Sequence, residues 1–194
     1  MESTFYKDAE GFGAYVEQLK GSDLAGKRRI LVCCGTGCIA SGAAGVAQAL
    51  DKELAALPEA ERAELNLVVK RTGCHGFCEK GPLVVLMPEE TFYVNVKPKQ
   101  VAEIVERSVK GSEVIEELLY RDAGTDAPVA KYGEIDFYKA QTRVAMRNIG
   151  LIDPADLDDY LLRDGYAAMV KALTTMTPQE VLGEVVESRL RGRG

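Results

Sequence analysis

The chain has 194 residues, of which 46% are hydrophobic and 28% are charged, and its formal net charge at pH 7 is -6. Such a chain is long enough to bury one hydrophobic core or two small ones, and its composition excludes a largely disordered protein. An acidic chain is also poorly suited to binding nucleic acid, which requires clustered lysine and arginine, so we expect no nucleic-acid partner.

The start of the chain does not resemble a signal peptide. The first ten residues contain neither a basic segment nor an apolar one, and nowhere do about 18 apolar residues run together. We therefore expect a cytoplasmic protein without a membrane span. Reducing conditions there favour metal binding or catalysis by cysteines over disulfide bonds.

The first third of the chain predicts a helix followed by a strand, a helix and a second strand. Residues 1–27 carry a helical pattern that we interpret as a lead-in helix. A short apolar run over 29–33 predicts a strand, and a helical stripe begins near Ala40 and ends before Pro58. The run from Leu65 to Lys70 predicts the second strand.

Two further strands and a helix complete the first domain. The runs 83–87 and 91–96 are separated by only three residues, which predicts an antiparallel hairpin, and Pro98 then opens a helix. The helix between the first two strands predicts that those strands are parallel. Residues 28–119 are therefore predicted to form an α/β domain of the thioredoxin type, with a mixed four-stranded sheet and flanking helices.

The remaining residues change in character. Residues 120–140 are polar and rich in Gly and Pro, which predicts a linker. Residues 141–194 predict a small all-helical segment of three short helices, in which Asp153-Pro154 and the capping box of Thr177 and Glu180 mark helix starts.

All five cysteines lie in two short loops, which points to one shared site. The first loop holds Cys33, Cys34 and Cys38, and the second holds Cys74 and Cys78. A 2Fe-2S cluster needs four thiolates from two directions, and loops at neighbouring strand ends can supply them. Glycines within and before the loops are expected to let the backbones turn and approach closely: Gly35, Gly37, Gly73 and Gly76.

Other uses of these cysteines stay open at this point. Structural zinc also takes four thiolates, but its usual Cys-x2-Cys spacing is absent, as is the Cys-x-x-Cys motif of thioredoxin-like redox chemistry. A redox pair of Cys34 with Cys38 and plain buried cysteines stay open as further alternatives. Adjacent residues at a strand end point to opposite sides, so only one of Cys33 and Cys34 can face the site. We assign Cys33, Cys38, Cys74 and Cys78 as metal ligands and leave Cys34 outside.

The other polar residues near the second loop are interpreted more simply. His75 is the only histidine, which excludes a Rieske centre because that centre needs two. We expect His75 to act as a spacer that donates a hydrogen bond near the cluster. Lys70, Arg71 and Lys80 are interpreted either as a docking patch or as solvated surface, with solvated surface as the default.

The motifs in both halves of the chain resemble a known family. Cys33-x4-Cys38 running into 39–43, followed by 72–78 and Gly81-Pro82, resembles the thioredoxin-like 2Fe-2S ferredoxin domain. It is similar to the copy fused to the front of the NADH-binding flavoprotein subunit of NAD(P)-linked, often electron-bifurcating, iron hydrogenases and related formate dehydrogenases. The second half resembles the opening of that subunit, which is related to the NADH-oxidising subunit of respiratory complex I. The segments that carry this second resemblance are 141–143, 147–150, 152–154, 159–160, 165–166, 171–173, 176–178 and 190–194.

The same resemblance implies an incomplete flavin site. In the family an Arg-Gly-Arg-Gly run opens a loop that holds FMN phosphate, and the NADH site and a 4Fe-4S motif follow it. Arg191, Gly192, Arg193 and Gly194 are therefore expected to be the edge of an FMN site, and Arg189 stands where the family more often has Gly. We expect FMN and NAD(P)H to bind only a full-length or partner polypeptide, the present chain being a fragment, an excised domain or the product of a split gene.

The resemblance implies electron transfer through a 2Fe-2S cluster within such a flavoprotein subunit. The expected partners are the other subunits of a multisubunit hydrogenase or formate dehydrogenase, including ferredoxin-like subunits. The chain alone would carry electrons, and no catalytic residue is assigned. The alternative is a zinc-bound or metal-free thioredoxin-like module that docks a partner and has no redox role.

Overall fold

A computed structural model describes residues 8–22 and 26–192. The first seven residues of the predicted lead-in, and Arg193 and Gly194 of the predicted FMN edge, lie outside these ranges. The fold divides into two compact units, one over residues 26–156 and the other combining the described parts of 1–25 and 157–194.

A mixed four-stranded sheet forms the centre of the larger unit. Its strands are β1 Arg28–Cys33, β2 Leu67–Thr72, β3 Val84–Met87 and β4 Thr91–Tyr93. They are arranged in the order β2-β1-β3-β4, with β1 parallel to β2 and the other two pairs antiparallel. The predicted mixed sheet, with its parallel crossover and hairpin, is confirmed.

The core of this unit lies on both faces of the central strand β1. Its residues from Ile30 to Cys33 are all buried, as expected for a strand that is covered by helices on both sides. Phe92 and Tyr93 on β4 are also fully buried. The Tyr93 hydroxyl bonds Ser108 Oγ at 2.7 Å and accepts from Ile115 N-H at 3.0 Å, which satisfies its polar atom inside the core.

Five α-helices belong to the larger unit in its described residues. The α-helices are α2 Thr36–Ala40, α3 Ala43–Ala56, α4 Glu59–Leu65, α5 Val101–Glu103 and, further along, α6 Asp136–Lys139. The helix that contains α5 begins with a 3-10 turn at Pro98–Gln100 and ends as a π-helix over Ile104–Lys110. The sequence did not predict α2 or α4, because α2 spans 5 residues around a glycine and α4 has no buried face.

The predicted linker over 120–140 is folded onto the sheet. Its strands β5 Tyr120–Arg121 and β6 Pro128–Val129 form an antiparallel pair, and isolated bridges join Leu119 and Lys131 to the outer edge of β4. Its later residues Ile135 and Tyr138 are buried. The structure therefore differs from the linker prediction, because the apolar residues here are spaced irregularly and show no period in the sequence.

The second unit is helical in its described residues. It contains α1 Ala9–Lys20, α7 Leu157–Leu161, α8 Ala167–Thr175 and α9 Pro178–Glu187. The Tyr15 hydroxyl donates to Asp158 Oδ1 at 2.8 Å, and the predicted capping box of Thr177 and Glu180 is present at the start of α9. In the described ranges, no helix has both the length and the apolar character needed to cross a bilayer.

Candidate metal centre

The sheet register brings the two cysteine loops to one edge. Cys33, the last residue of β1, pairs with Thr72, the last residue of the parallel strand β2. Cys34 N-H donates to the Thr72 carbonyl at 2.9 Å, and Cys33 N-H donates to the Leu83 carbonyl at 3.1 Å. Because parallel strands end at the same edge, both loops leave the sheet side by side.

Four cysteines converge between these loops. Cys33 and Cys38 are 0% and 1% exposed, Cys74 is partly buried, and Cys78 is exposed. The Sγ atoms of Cys74 and Cys78 lie 3.7 Å apart. Around a tetrahedral metal with metal-sulfur bonds of about 2.3 Å, two thiolates lie about 3.8 Å apart, so this pair has the spacing of two ligands on one metal.

Three glycines allow the loops to approach this closely. A Cβ at Gly35 would stand 2.7 Å from Cys74 Cβ, and a Cβ at Gly37 would stand 3.1 Å from Cys78 Sγ. Gly81, which the sequence analysis did not assign to the site, is equally tight because its Cβ would lie 2.6 Å from Cys38 Sγ. A side chain at any of these three positions would crowd one of the cysteines.

The other two glycines of the loops differ from these three. Gly76 has a φ of +82°, so its role is conformational, and a Cβ there would make ordinary contact with Phe137 at 3.7 Å. A Cβ at Gly73 would meet no atom within 4 Å, and the backbone there does not need a positive φ. The turn role predicted for Gly73 therefore has no steric basis.

The Cys33 thiol interacts with Cys38 in its own loop and with Cys74 in the second loop. A hydrogen bond with the Cys38 thiol is the main cause that lowers the pKa of Cys33 to about 6, and the same bond raises the pKa of Cys38. Backbone N-H groups of His75 and Gly35 also stabilise the Cys33 thiolate. Gly76 N-H donates to Cys74 Sγ at 3.2 Å. Backbone donors therefore already point at the sulfurs, as an anionic thiolate-sulfide cluster requires.

Cys34 stands apart from this group. Its pKa is raised, mainly by burial and then by the Cys33 thiolate, while Arg71 partly offsets the effect. A charge-charge interaction with Asp153 also raises this pKa. Cys34 thus has other surroundings than Cys33, whose main partner is the Cys38 thiol, as strand alternation predicts.

His75 is buried behind the second loop. It is 2% exposed, its Nε2 lies 3.0 Å from Thr72 Oγ1, and its Nδ1 has no hydrogen-bond partner among the described residues. Burial, and then the charge of Arg143, lowers its pKa to about 4. Its ring is therefore neutral at physiological pH, and the hydrogen bond toward Cys33 comes from its backbone N-H.

Two residues that were not predicted to belong to the site, Arg143 and Gly150, contact this histidine. The guanidinium of Arg143 donates to the His75 carbonyl at 3.5 Å and to the Tyr132 hydroxyl at 3.2 Å, and it lies 5.3 Å from the centre of the Tyr138 ring. Gly150 has a φ of +74°, and a Cβ there would stand 2.8 Å from the imidazole. A lone arginine in a polar segment carries no pattern that sequence reasoning could have detected.

Aromatic rings hold the same loop through Phe77. Its ring stacks on Phe137 with centroids 5.1 Å apart, and it contacts Tyr120 at 5.3 Å and Tyr138 at 5.9 Å. These three partners belong to the segment that was predicted to be a linker. The segment therefore covers the ring of Phe77, which is 8% exposed, and anchors the second cysteine loop from the inside.

The basic residues near the second loop have different surroundings. Lys70 is 7% exposed, and its Nζ lies 2.6 Å from Asp156 Oδ2, so the prediction of a solvated surface position was wrong for it. The cause is the position of Lys70 on an inner face of β2, where a charge needs a partner. Arg71 is exposed and pairs with Asp51, and Lys80 is half-buried.

The donor set is of the kind that a binuclear cluster takes. A 2Fe-2S cluster needs two thiolates on each iron, and Cys33 with Cys38 and Cys74 with Cys78 supply two interacting pairs. Two pairs, close backbones and N-H donors toward the sulfurs all match this group.

The predicted FMN edge lies in the other unit. Arg191 and Gly192 follow α9 as exposed residues without regular structure, and Arg189 before them has a φ of +54°. This left-handed position suits glycine, the residue that the sequence resemblance leads us to expect there.

Residues 20–108 match the family described as thioredoxin-like 2Fe-2S ferredoxin. This segment is a thioredoxin-like 2Fe-2S ferredoxin domain. The ferredoxin domain includes both cysteine loops and all four strands of the sheet, and the predicted thioredoxin-like fold is confirmed. The family match also supports a 2Fe-2S cluster as its cofactor.

Known proteins of two kinds are similar to the ferredoxin domain. The chain is 54% identical over 56 residues to the NADP-reducing hydrogenase subunit HndC of Solidesulfovibrio fructosivorans, covering 29% of this chain and 11% of that protein. It is 44% identical over 55 residues to a 2Fe-2S ferredoxin of Aquifex aeolicus, covering 28% of this chain and 50% of that protein. The crystal structure of the Aquifex aeolicus thioredoxin-like 2Fe-2S ferredoxin matches with 30% identity and a TM-score of 0.44, over 50% of this chain and 98% of that one. The chain thus spans half or less of the length of the two curated relatives, HndC and the Aquifex aeolicus ferredoxin.

Proposed function

We propose that this protein transfers electrons through a 2Fe-2S cluster held by Cys33, Cys38, Cys74 and Cys78. The observation that carries the proposal is the convergence of these four thiols at one sheet edge, with the two sulfurs of the second loop 3.7 Å apart. A bound 2Fe-2S cluster takes up and releases one electron at a time.

The surrounding residues would set the properties of that cluster. Cys33 and Cys38 are buried and Cys78 is exposed, so one pair would be shielded from water and the other would lie at the surface. N-H donors toward the sulfurs stabilise added negative charge and so favour the reduced state. No side chain needs to act as an acid or a base.

We further propose that the chain is the N-terminal part of an NADH-dehydrogenase-like flavoprotein subunit of an NAD(P)-linked hydrogenase or formate dehydrogenase. The similarity to HndC, a subunit of an NADP-reducing hydrogenase, supports this wider context. The described helical unit also leaves several apolar side chains exposed, and such exposure supports an interaction with a further protein surface. These are Leu157, Met169, Leu173, Leu182, Val185, Val186 and Leu190. In this proposal FMN and NAD(P)H bind elsewhere in the full-length or partner polypeptide, with Arg191 and Gly192 at the edge of the FMN site.

Anaerobic purification followed by iron and acid-labile sulfide analysis tests the proposed cluster. We expect about two irons and about two sulfides per chain, and an EPR signal of one unpaired electron after reduction with dithionite. A colourless protein that contains one zinc per chain would overturn the proposal and favour a docking module without redox function.

A further inference from the structure

A group of lysines lies beside the more exposed cysteine loop. Lys80 follows Cys78 by two residues, and its carbonyl accepts a hydrogen bond from Asn95 N-H at 2.8 Å. This bond joins the loop to the segment that carries Lys97 and Lys99. The three lysines line one surface pocket of about 490 Å³, and we call this surface the basic face.

The positive charge of the basic face is not neutralised locally. Its three lysines form no ion pair within the described residues, whereas Lys110 elsewhere on the domain contacts two glutamates. Glu117 is the one acidic side chain among the described residues that line the pocket. Arg121 also lines it, but its guanidinium is shared with Glu116 at 3.5 Å and Asp126 at 3.8 Å.

This local charge is opposite in sign to that of the whole chain, which carries -6. Salt screens exposed charges over about 10 Å at about 0.1 M, so a molecule that approaches Cys78 responds to the nearest charges more than to the distant ones. The three lysines outnumber the exposed carboxylates of Glu79 and Glu117 on this side of the domain, so the basic face attracts anions near Cys78, the exposed cysteine of the proposed cluster site.

We infer that the basic face is the docking surface for an electron-transfer partner whose own contact surface is acidic. The inference rests on the proposed cluster function, because it places the partner next to the exposed edge of the cluster. Complementary charge across such a contact raises the rate of encounter and orients the partner, so that one electron passes between the cluster and the partner's redox centre.

Two small oxidants of opposite charge test the sign of the field at this edge. The reduced protein is mixed with hexacyanoferrate(III) or hexaamminecobalt(III), each of which accepts the one electron that the reduced cluster gives up. With hexacyanoferrate(III) we expect the rate to fall about threefold or more between about 10 mM and about 200 mM salt, because screening removes the attraction. A rate that rises with salt would follow the net charge of -6 and would overturn the inference.

A pair of double variants connects this effect to the basic face. Lys97→Gln with Lys99→Gln should remove most of the salt dependence for hexacyanoferrate(III). Lys52→Gln with Lys171→Gln changes the net charge equally at exposed positions that do not line the pocket, so it should retain the dependence. Equal behaviour of the two double variants would refute the assignment of the basic face.

Binding of an acidic polypeptide tests docking without any need for the cluster. Poly-L-glutamate should bind the wild-type protein at low salt at least about threefold more tightly than the Lys97→Gln, Lys99→Gln variant, and inorganic phosphate at the same charge concentration should displace little of it. Phosphate that displaces poly-L-glutamate fully would identify a site for small anions and overturn the docking surface. Absence of iron and sulfide would instead refute the proposed function, whatever the polypeptide result.

Discussion

Replacing Gly35 by alanine should force the two cysteine loops apart. The new Cβ would stand 2.7 Å from Cys74 Cβ and 2.9 Å from Cys74 Cα, whereas carbon atoms in contact prefer about 3.5–4.0 Å. The loops must therefore separate by roughly 1 Å, because backbone rather than a flexible side-chain end blocks the way. The φ of -61° and ψ of 156° at Gly35 suit alanine, so the effect is steric and not conformational.

The expected loss is about 1–3 kcal/mol in the free energy of unfolding, the usual cost of overpacking a close contact. The assay is urea unfolding of the anaerobically purified, cluster-loaded protein, followed by far-UV circular dichroism, with the iron content measured on the same sample. The displacement of Cys74 should also lower the number of iron atoms that each chain retains.

Gly73→Ala is the matched control. It lies next to Cys74 in the same loop, but its Cβ would meet no atom within 4 Å. Alanine there should leave iron content unchanged and, by restricting the unfolded chain, add up to about 1 kcal/mol of stability. If Gly35→Ala and Gly73→Ala have the same unfolding midpoint and the same iron content, the close-approach argument fails.

Three other predictions concern the same site. Cys34→Ser should retain the visible absorption and EPR spectrum, whereas Cys33→Ser should lose most of both, because Cys33 is the thiol that interacts with Cys38 and Cys74. Gly150→Ala should lower the free energy of unfolding in urea by about 2 kcal/mol, since alanine is strained at a φ of +74°. His75 should make the protein less stable as the pH falls from about 6.5 toward about 4. Its pKa is about 4 when folded and about 6.5 when unfolded, so the unfolded chain binds more protons in that window.

Each of these predictions has a direct control. The reverse pattern, with the cluster lost in Cys34→Ser and kept in Cys33→Ser, would exchange the two cysteines in our assignment. Gly26→Ala meets no atom within 4 Å and should not destabilise the domain as Gly150→Ala does. A His75→Gln variant removes the titration, so the pH effect is the difference between its unfolding curve and that of the wild type. That difference should grow to about 3 kcal/mol near pH 4, and a difference that is independent of pH would contradict the buried neutral ring.

The sequence predicted the sheet and the cysteine loops because their signals are local. Apolar runs bounded by glycine and proline marked the four strands, and the three-residue gap before β4 predicted the hairpin. The separation of Cys33 from Cys34 followed from strand alternation alone, and the structure puts Cys33 beside Cys38 while Cys34 has a different environment. These features depend on the spacing of residues along the chain, which can be read directly from a single sequence.

The features that the sequence did not predict depend on contacts between distant residues. Gly81 is tight because it meets Cys38, and nothing in the local sequence identifies that neighbour. Residues 120–140 looked like a linker because their aromatic residues follow no period, yet these rings pack on Phe77. Lys70 looked like surface because its partner Asp156 is 86 residues away. In each case the prediction failed because the feature depends on a tertiary contact that the local sequence does not reveal.

The pairing of Cys33 with Thr72 also decides which sulfur is available to a cluster. Cys33 and Cys34 have the same chemistry, so selection between them must come from geometry. A shift of one residue between β1 and β2 would turn Cys34 toward the other loop and Cys33 away from it. β1 is buried on both faces, so burial of its apolar residues does not by itself select one alignment. The hydrogen bonds of Cys33 N-H to the Leu83 carbonyl and of Cys34 N-H to the Thr72 carbonyl hold the observed alignment at the end of the strand. Backbone pairing on both sides of β1 thus discriminates between two ligand sets that are chemically identical.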